Sequence, residues 1–281
     1  MPLANGLEVL SRARREHYGV GAFNCINIEF LRAVVDTAVS LNSPVILALT
    51  PGALKYSGWE ALFGAARALA EAAPVPVVIH LDHGTKIEEV ERAARLGFSS
   101  IMIDGAALSF EENIAITKRA VQIAHAAGAS LEAELGEIGG KEEEIESGGV
   151  MTDPAHVPEF VSSTGLDVLA PAFGSVHQKE KRDASLDLQR LELIAAATTA
   201  PLVLHGGSGV PKDQVQGAIA RGVAKVNVGT EMQRTFTRVL HETLAANPSE
   251  WDARKFLKPA SLAVAAAVQE RIEMCGSSGK V

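Results

Sequence analysis

Cysteine is scarce in this chain: Cys25 and Cys275 are the two thiols among 281 residues. Two cysteines so far apart in sequence provide neither a disulfide framework nor a Cys-x-x-Cys metal site. They fit a reducing compartment, so a cytoplasmic location is expected. Positive charge is in deficit as well. A formal net charge of −8 and a pI near 5.5 leave no overall basic field, which argues against nucleic acid as a partner while leaving room for a local anion pocket. Long apolar runs are missing too. The first residues carry Arg12, Arg14, Arg15 and Glu16 where a secretion signal would have its apolar block, and no uncharged run reaches the roughly 18 residues of a membrane span. No membrane is expected as a partner. There is no low-complexity tract and no internal repeat beyond an alternation of strand-like and helix-like segments.

That alternation is what the sequence has instead. Strands buried on both faces read as near-continuous β-branched runs, and parallel strands need helical crossovers between them. Such runs fall at residues 19–24, 44–50, 75–83, 99–104, 130–136, 166–172, 201–205 and 224–228. Between and after them lie alanine-rich amphipathic segments at 29–41, 59–73, 87–96, 111–127, 154–163, 188–198, 212–221 and 231–245. Asp153-Pro154 and Pro211 mark helix starts, and Gly97, Gly128 and Gly222 follow last turns. Eight βα units predict an α/β fold, a closed (β/α)8 TIM barrel, and about 250 residues suffice for one, so residues 1–281 are expected to form a single domain. A doubly wound open sheet is the alternative, but its glycine-rich fingerprint is absent after the first strand, where the chain reads Asn24-Cys25-Ile26-Asn27-Ile28. Beyond the barrel, 259–275 reads as one additional C-terminal helix.

In this fold the chemistry sits at the C-terminal ends of the strands. The residues delivered there are Asn24, Thr50, Asp82 with His83, Asp104, Glu132 with Glu134, His177, His205 and Asn227. Any one histidine would ordinarily be a satisfied core residue. Three of them, His83, His177 and His205, from units three, six and seven, can share one rim and form a catalytic zinc site. His80 lies deeper in its strand and His125 on a helix, and both are read as structural. Asp82 precedes a presumed ligand, and neighbouring strand residues face opposite ways unless the strand ends or bends between them. The run His205-Gly206-Gly207-Ser208-Gly209 and the segment Asn227 to Thr230 each precede a helix, where backbone N–H groups suit a phosphate. Two loops, 136–152 and 173–187, are long enough to be functional, and the glycines of the first suit a moving lid.

Taken together these residues resemble a known family: the class II, zinc-dependent ketose-bisphosphate aldolases, which include fructose-bisphosphate and tagatose-bisphosphate aldolases. The matching blocks are Ala22 to Asn24, Ser43 to Ile46, His80 to Gly84, Ile101 to Gly105 with Phe110 to Asn113, Leu131 to Gly136, Val203 to Gly209, and Val226-Asn227. They span nearly the whole chain. The resemblance implies Zn2+ on His83, His177 and His205, with Asp104 and Glu134 near an alternative inner metal position. It implies Asp82 as the acid/base at the C4 hydroxyl and Glu142, on the mobile loop, as the group that exchanges the C3 proton of dihydroxyacetone phosphate. Gly206, Gly207, Ser208, Asn227 and Thr230 would hold the dihydroxyacetone phosphate part. Asn24, Thr50 and Arg271 look similar to positions that meet the other end, Arg271 from a neighbouring subunit. The implied partner is a small sugar phosphate, the implied state a homodimer or homotetramer, and a monovalent cation (Na+ or K+) is a further implied cofactor.

Three residues depart from the family pattern. Gln178 follows the second zinc histidine where glycine is usual, Lys141 stands where an uncharged residue is common, and Gly229 replaces a common alanine or aspartate. These departures leave open a ketose phosphate with a different far-end group, or a sugar-phosphate sensor without turnover. A metal-free Schiff-base aldolase using Lys225 is a third alternative, and it leaves the three histidines unemployed.

Overall fold

The computed structural model describes residues 3–142, 145–179 and 181–281. In chain order its strands are β1 (Val20–Asn24), β2 (Val45–Leu49), β3 (Val77–Gly84), β4 (Ser100–Ile103), β5 (Ser130–Leu135), β6 (Gly140–Glu142), β7 (Ile145–Ser147), β8 (Val168–Pro171), β9 (Leu202–Leu204) and β10 (Val223–Val228). Its helices are α1 (Gly6–Arg15), α2 (Ile28–Ser40), α3 (Pro51–Ser57), α4 (Trp59–Ala72), α5 (Ile87–Leu96), α6 (Phe110–Ala126), α7 (Val157–Thr164), α8 (Leu188–Ala197), α9 (Lys212–Ile219), α10 (Thr230–Ala246) and α11 (Arg254–Cys275). All strands but β6 and β7 run parallel and close into one barrel in the order β1-β10-β9-β8-β5-β4-β3-β2. The closed sheet is the expected TIM barrel, with α11 added after it.

Local signals place the helices. Asn27 accepts a hydrogen bond from the Phe30 N–H and starts α2. Ser109 and Glu112 form a reciprocal capping box at the head of α6, which satisfies amide groups that have no intrahelical partner. Gly97 and Gly165 end α5 and α7 in the left-handed conformation that glycine adopts without a Cβ penalty.

Three features depart from the expectation. Helix α1 closes the N-terminal end of the barrel: Leu10, Ala13 and Tyr18 are buried in one cluster with Val20, Ile46, Val78 and Val203. Helix α3 is inserted between β2 and α4, capped by Thr50, whose Oγ1 accepts from the Ala53 N–H at 3.2 Å. Helix α11 begins at Arg254 and carries Pro259 inside it, rather than starting at the proline. The lost amide bond costs the helix locally, but Ala260, Val264 and Val268 just beyond are fully buried, and that burial holds the segment helical. No helix among the described residues is long and apolar enough to cross a membrane.

Strand parity stacks the barrel interior in layers. Inward positions recur every second residue, so β3 offers Val78, His80 and Asp82 in ascending order, β5 offers Ser130, Glu132 and Glu134, and β10 offers Lys225 and Asn227. The bottom is largely apolar, the middle layer is a buried polar network, and the top opens to the ends of the strands. The main apolar core lies outside the barrel, between the sheet and its helices.

Candidate active site

The middle layer supports the top. Lys225 is 1% exposed, and its ammonium donates to Glu132 Oε2 at 2.7 Å and approaches His80 Nε2 at 2.9 Å. His80 Nδ1 lies 2.8 Å from Ser100 Oγ. Glu132 Oε1 in turn lies 2.9 Å from His205 Nε2. Burial pushes the Glu132 carboxyl up, but Lys225 and His205 outweigh it and hold the group below its ordinary range. Lys225 is thus the structural ion-pair partner beneath the rim. His125, on α6, pairs with Asp167 at 2.8 Å, well removed from the rim.

At the top, one backbone feature brings Asp82 and His83 to the same place. The pairing of β3 with β4 slips between Leu81 and Gly84, and His83 takes a left-handed φ of 52°. That bend turns His83 off the outward direction its parity would dictate, while Asp82 keeps the inward one. The rings of His83 and His205 lie 4.7 Å apart, His83 and His177 5.1 Å, and His177 and His205 5.9 Å, all centre to centre. Each of the three offers a ring nitrogen within 4.8 Å of the others.

Hydrogen-bond partners fix which nitrogen each buried ring offers. His83 Nδ1 sits 3.0 Å from Asp104 Oδ2 and His205 Nε2 sits on Glu132, so both of those nitrogens serve as donors. The remaining pair, His83 Nε2 and His205 Nδ1, face each other at 3.0 Å as two lone pairs, and Asn227 Nδ2 approaches the latter at 3.2 Å. Burial, with His83 nearby, lowers the His205 pKa to about 4. The ring is therefore neutral near pH 7, the form a metal ligand requires. A second group, His83, Asp104 and Glu134, could also hold an ion. There Glu134 Oε1 accepts from the Ile138 N–H at 3.1 Å, while Oε2 is buried without a hydrogen-bond partner. Burial and the neighbouring Asp104 raise the Glu134 pKa well above its ordinary range. Converging lone pairs and an orphaned buried carboxylate oxygen are the donor set a divalent cation satisfies.

Asp82 is held from two sides. Asn24 Nδ2 donates to its Oδ2 at 2.8 Å and Asn227 Nδ2 to its Oδ1 at 3.0 Å. Burial works against the charge, yet His83, His80, Lys225 and His205 together keep the carboxyl well below its usual range. It stands ionised beside the three imidazoles.

The glycine-rich turn after β9 packs directly on the segment carrying His177. Gly206 has a φ of 64°, and a Cβ there would lie 2.8 Å from the Val176 carbonyl. At Gly207 a Cβ would lie 2.6 Å from the Asn227 carbonyl, so these two positions tolerate no side chain. Helix α10 starts at Thr230 with no cap from the Gly229 position, and of its first amides the Glu231 N–H donates to Ser208 Oγ at 3.3 Å, so the helix start and the glycine turn are joined where an anion would be favoured. The two long loops also meet: the His177 N–H donates to the Gly139 carbonyl at 2.8 Å, and Gly139 bridges to Val176. Beyond that clasp β6 and β7 pair as an antiparallel hairpin. The side chains of Lys141 and Glu142 lie outside the described residues.

A cavity of about 600 Å³ opens over this rim, lined among others by Asn24, Thr50, Asp82, His83, His177, Gly206, Ser208, Asn227 and Thr230. Asp104, Glu134, Gly207 and Arg271 are not among the lining residues. Arg271 is fully buried and its guanidinium is spent inside its own chain, on the carbonyls of Gly207 at 3.1 Å and Ser208 at 3.0 Å and on Glu231 at 2.8 Å. It braces the glycine turn from behind. Polar residues absent from the expected set also line the cavity, among them Tyr56, Gln178, Gln233 and Arg234. For Arg234 there was a signal, since it follows Thr230 by one helical turn on the same face.

Fold and site define a (β/α)8-barrel enzyme whose rim can hold a divalent cation between three imidazoles. The family described as "Fructose-bisphosphate aldolase class-II" matches residues 4–280. A fructose-bisphosphate aldolase from Thermus caldophilus is 44% identical, covering 99% of each chain, and one from Geobacillus stearothermophilus is 43% identical, covering 100% of this chain and 99% of the other. Among solved structures, the YdjI aldolase of Escherichia coli K12 superposes with a TM-score of 0.88 at 33% identity over 99% of both chains. This chain belongs to the class-II fructose-bisphosphate aldolase family. Its reaction is the reversible aldol cleavage of a ketose bisphosphate, and its family implies a divalent metal, typically zinc.

Proposed function

We propose that the substrate is fructose 1,6-bisphosphate, cleaved to dihydroxyacetone phosphate and an aldehyde, with zinc as the divalent metal. The observation that supports this most is the convergence of His83, His177 and His205, with ring nitrogens within 4.8 Å of one another, beside an ionised Asp82. Those three histidines would hold the zinc, with Asp104 and Glu134 at an inner alternative position. When bound, the ion supplies Lewis-acid polarisation of the substrate's carbonyl and hydroxyl oxygens.

The chain's own residues do the rest. Asp82, aimed by Asn24 and Asn227, accepts the proton of the C4 hydroxyl as the C3–C4 bond breaks; C4 becomes the aldehyde carbonyl, and the electron pair stays on the C3 side. Protonation of C3 completes the three-carbon product, and Glu142 on the 136–152 loop is assigned that proton by the family resemblance. The amides of Gly206 and Gly207, the Ser208 hydroxyl, Asn227 and the first turn of α10 at Thr230 bind the phosphate of that product. Thr50, with its hydroxyl engaged at the head of α3, shapes the wall near the other end.

The same proposal takes residues 1–281 as one catalytic domain acting in the cytoplasm as a homodimer or homotetramer, with a monovalent cation as a second cofactor. A substrate panel tests the central claim. Zinc-loaded protein should release triose phosphate from fructose 1,6-bisphosphate faster than from the tagatose epimer, with Asp82→Ala losing about 10²-fold or more and keeping its zinc. Release from tagatose 1,6-bisphosphate alone would overturn the substrate assignment, and zinc retained by His205→Ala would overturn the ligand set.

A further inference from the structure

The three imidazoles do not hang from equally rigid backbone. His83 lies within the last turn of β3 and His205 directly follows β9, whereas His177 stands well beyond the end of β8 at Pro171, in the loop that leads to α8. It is half-buried where the other two are buried. The position of its ring therefore depends on what fastens the loop.

Downstream of His177 the fastening runs to the phosphate side of the site. The Ala184 N–H donates to the Gly209 carbonyl at 3.0 Å. The Arg182 guanidinium forks onto Glu270 of α11, at 2.5 and 3.1 Å, and also reaches Glu231 in the first turn of α10. Glu231 is the node. One of its oxygens takes Arg182 and the other takes Arg271 at 2.8 Å, while its own N–H donates to Ser208 Oγ at 3.3 Å. Arg271 continues the path to the carbonyls of Gly207 and Ser208.

An exposed ion pair contributes little stability on its own, but a guanidinium that spans two carboxylates on two helices fixes geometry. Charge matters here as well. A bare carboxylate at the start of α10 would compete with a bound phosphate for the positive end of the helix, and the two guanidiniums neutralise it.

We propose that Arg182 is a positioning residue that couples the two halves of the site, the metal position at His177 and the phosphate-binding glycine turn. An anion on the turn holds the start of α10, Glu231 holds Arg182, and Arg182 holds the loop that presents His177. Anion and metal then each strengthen the binding of the other by the same factor. This rests on the reading of His83, His177 and His205 as metal ligands.

Competition with a chromophoric chelator gives the Zn2+ affinity of wild type, Arg182→Gln, Arg182→Lys and Glu270→Gln, each with and without sulfate, a tetrahedral dianion, at an ionic strength held constant with chloride. Both substituted positions are exposed, where replacements are tolerated. Sulfate should tighten Zn2+ binding about fivefold or more in wild type. That ratio should fall close to one in Arg182→Gln. Arg182→Lys, which keeps the charge without the fork, and Glu270→Gln, which removes one of the two carboxylates, should each retain part of it. A merely structural role would weaken Zn2+ equally in both conditions and leave the ratio intact, and a ratio undiminished in Arg182→Gln or Glu270→Gln overturns the proposal. So does a wild type that binds Zn2+ with an affinity indifferent to sulfate. A wild type that binds no Zn2+ overturns the ligand reading itself, a failure visible before any variant is made.

Discussion

Nε2 of His83 and Nδ1 of His205 face each other at 3.0 Å, each on a ring whose other nitrogen is already turned to a carboxylate, Asp104 for one and Glu132 for the other. Two acceptors so placed repel unless something positive lies between them. Carboxylates behind the rings thus fix which nitrogens point at the metal position, and they raise the basicity of those nitrogens.

Removing the support behind His205 should show directly in metal binding. Glu132→Gln replaces the carboxylate with a neutral amide of the same shape, and metal affinity should fall about 10–100-fold. Competition with a chromophoric chelator measures it. Unchanged affinity would mean that Glu132 serves only Lys225.

Glu134 carries a pH signature. Its folded pKa is raised by burial and by Asp104, so the folded state holds a proton that the unfolded state gives up. The associated stability is fully present below the ordinary value near 4.5 and is lost as pH rises toward the folded pKa. In chelator-treated protein, Glu134→Gln should therefore melt higher than wild type at neutral pH, and the gap should close as pH falls toward about 4.5. A gap independent of pH would show that the carboxyl is not the cause.

Arg271 should behave as a structural brace. Arg271→Met leaves the Glu231 carboxylate with Arg182 alone and strands two carbonyls of the glycine turn, and loss of one partner of a buried ion pair costs about 3 kcal/mol. Chemical denaturation should show a lower midpoint, and protection by inorganic phosphate should weaken with it. A variant with a wild-type midpoint and a defect confined to the far end of the substrate would return Arg271 to direct substrate contact.

Gln178 sits at a left-handed φ of 55°, in a position where the family usually has glycine. A non-glycine residue there costs roughly 1–2 kcal/mol, partly offset by the greater freedom glycine has when unfolded. Gln178→Gly should stabilise the protein by about 0.5–1 kcal/mol, read by thermal denaturation at fixed metal content. A destabilised variant would show that the glutamine side chain makes up the strain through contacts of its own.

Several of these relationships were not legible in the chain. Strand parity by itself sets Asp82 and His83 on opposite faces, and only the slipped register of β3 against β4 brings them together. Helix α1 was invisible as a barrel plug because its apolar positions are few and mean something only once the barrel's open end is there to receive them. Arg271 reads, by the resemblance, as a contact for the far end of the substrate, yet α11 folds back on α2 and α10 and buries it. Glu132 carries the same parity as Glu134, but its partnership with Lys225 and His205 joins three strands far apart in sequence.

By itself, the sequence determined the period of alternation, and with it eight βα units, a closed barrel, and which residues stand at the ends of its strands. These are local properties: hydrophobic patterning and strand-end chemistry act over a few residues and survive being read one segment at a time. Tertiary structure decided which nitrogen of each buried imidazole faces the metal position, which arginine lines the cavity and which one is spent behind it. Those outcomes depend on distances between segments separated by more than a hundred residues, such as His83 and His205, and closure of the barrel is what sets them.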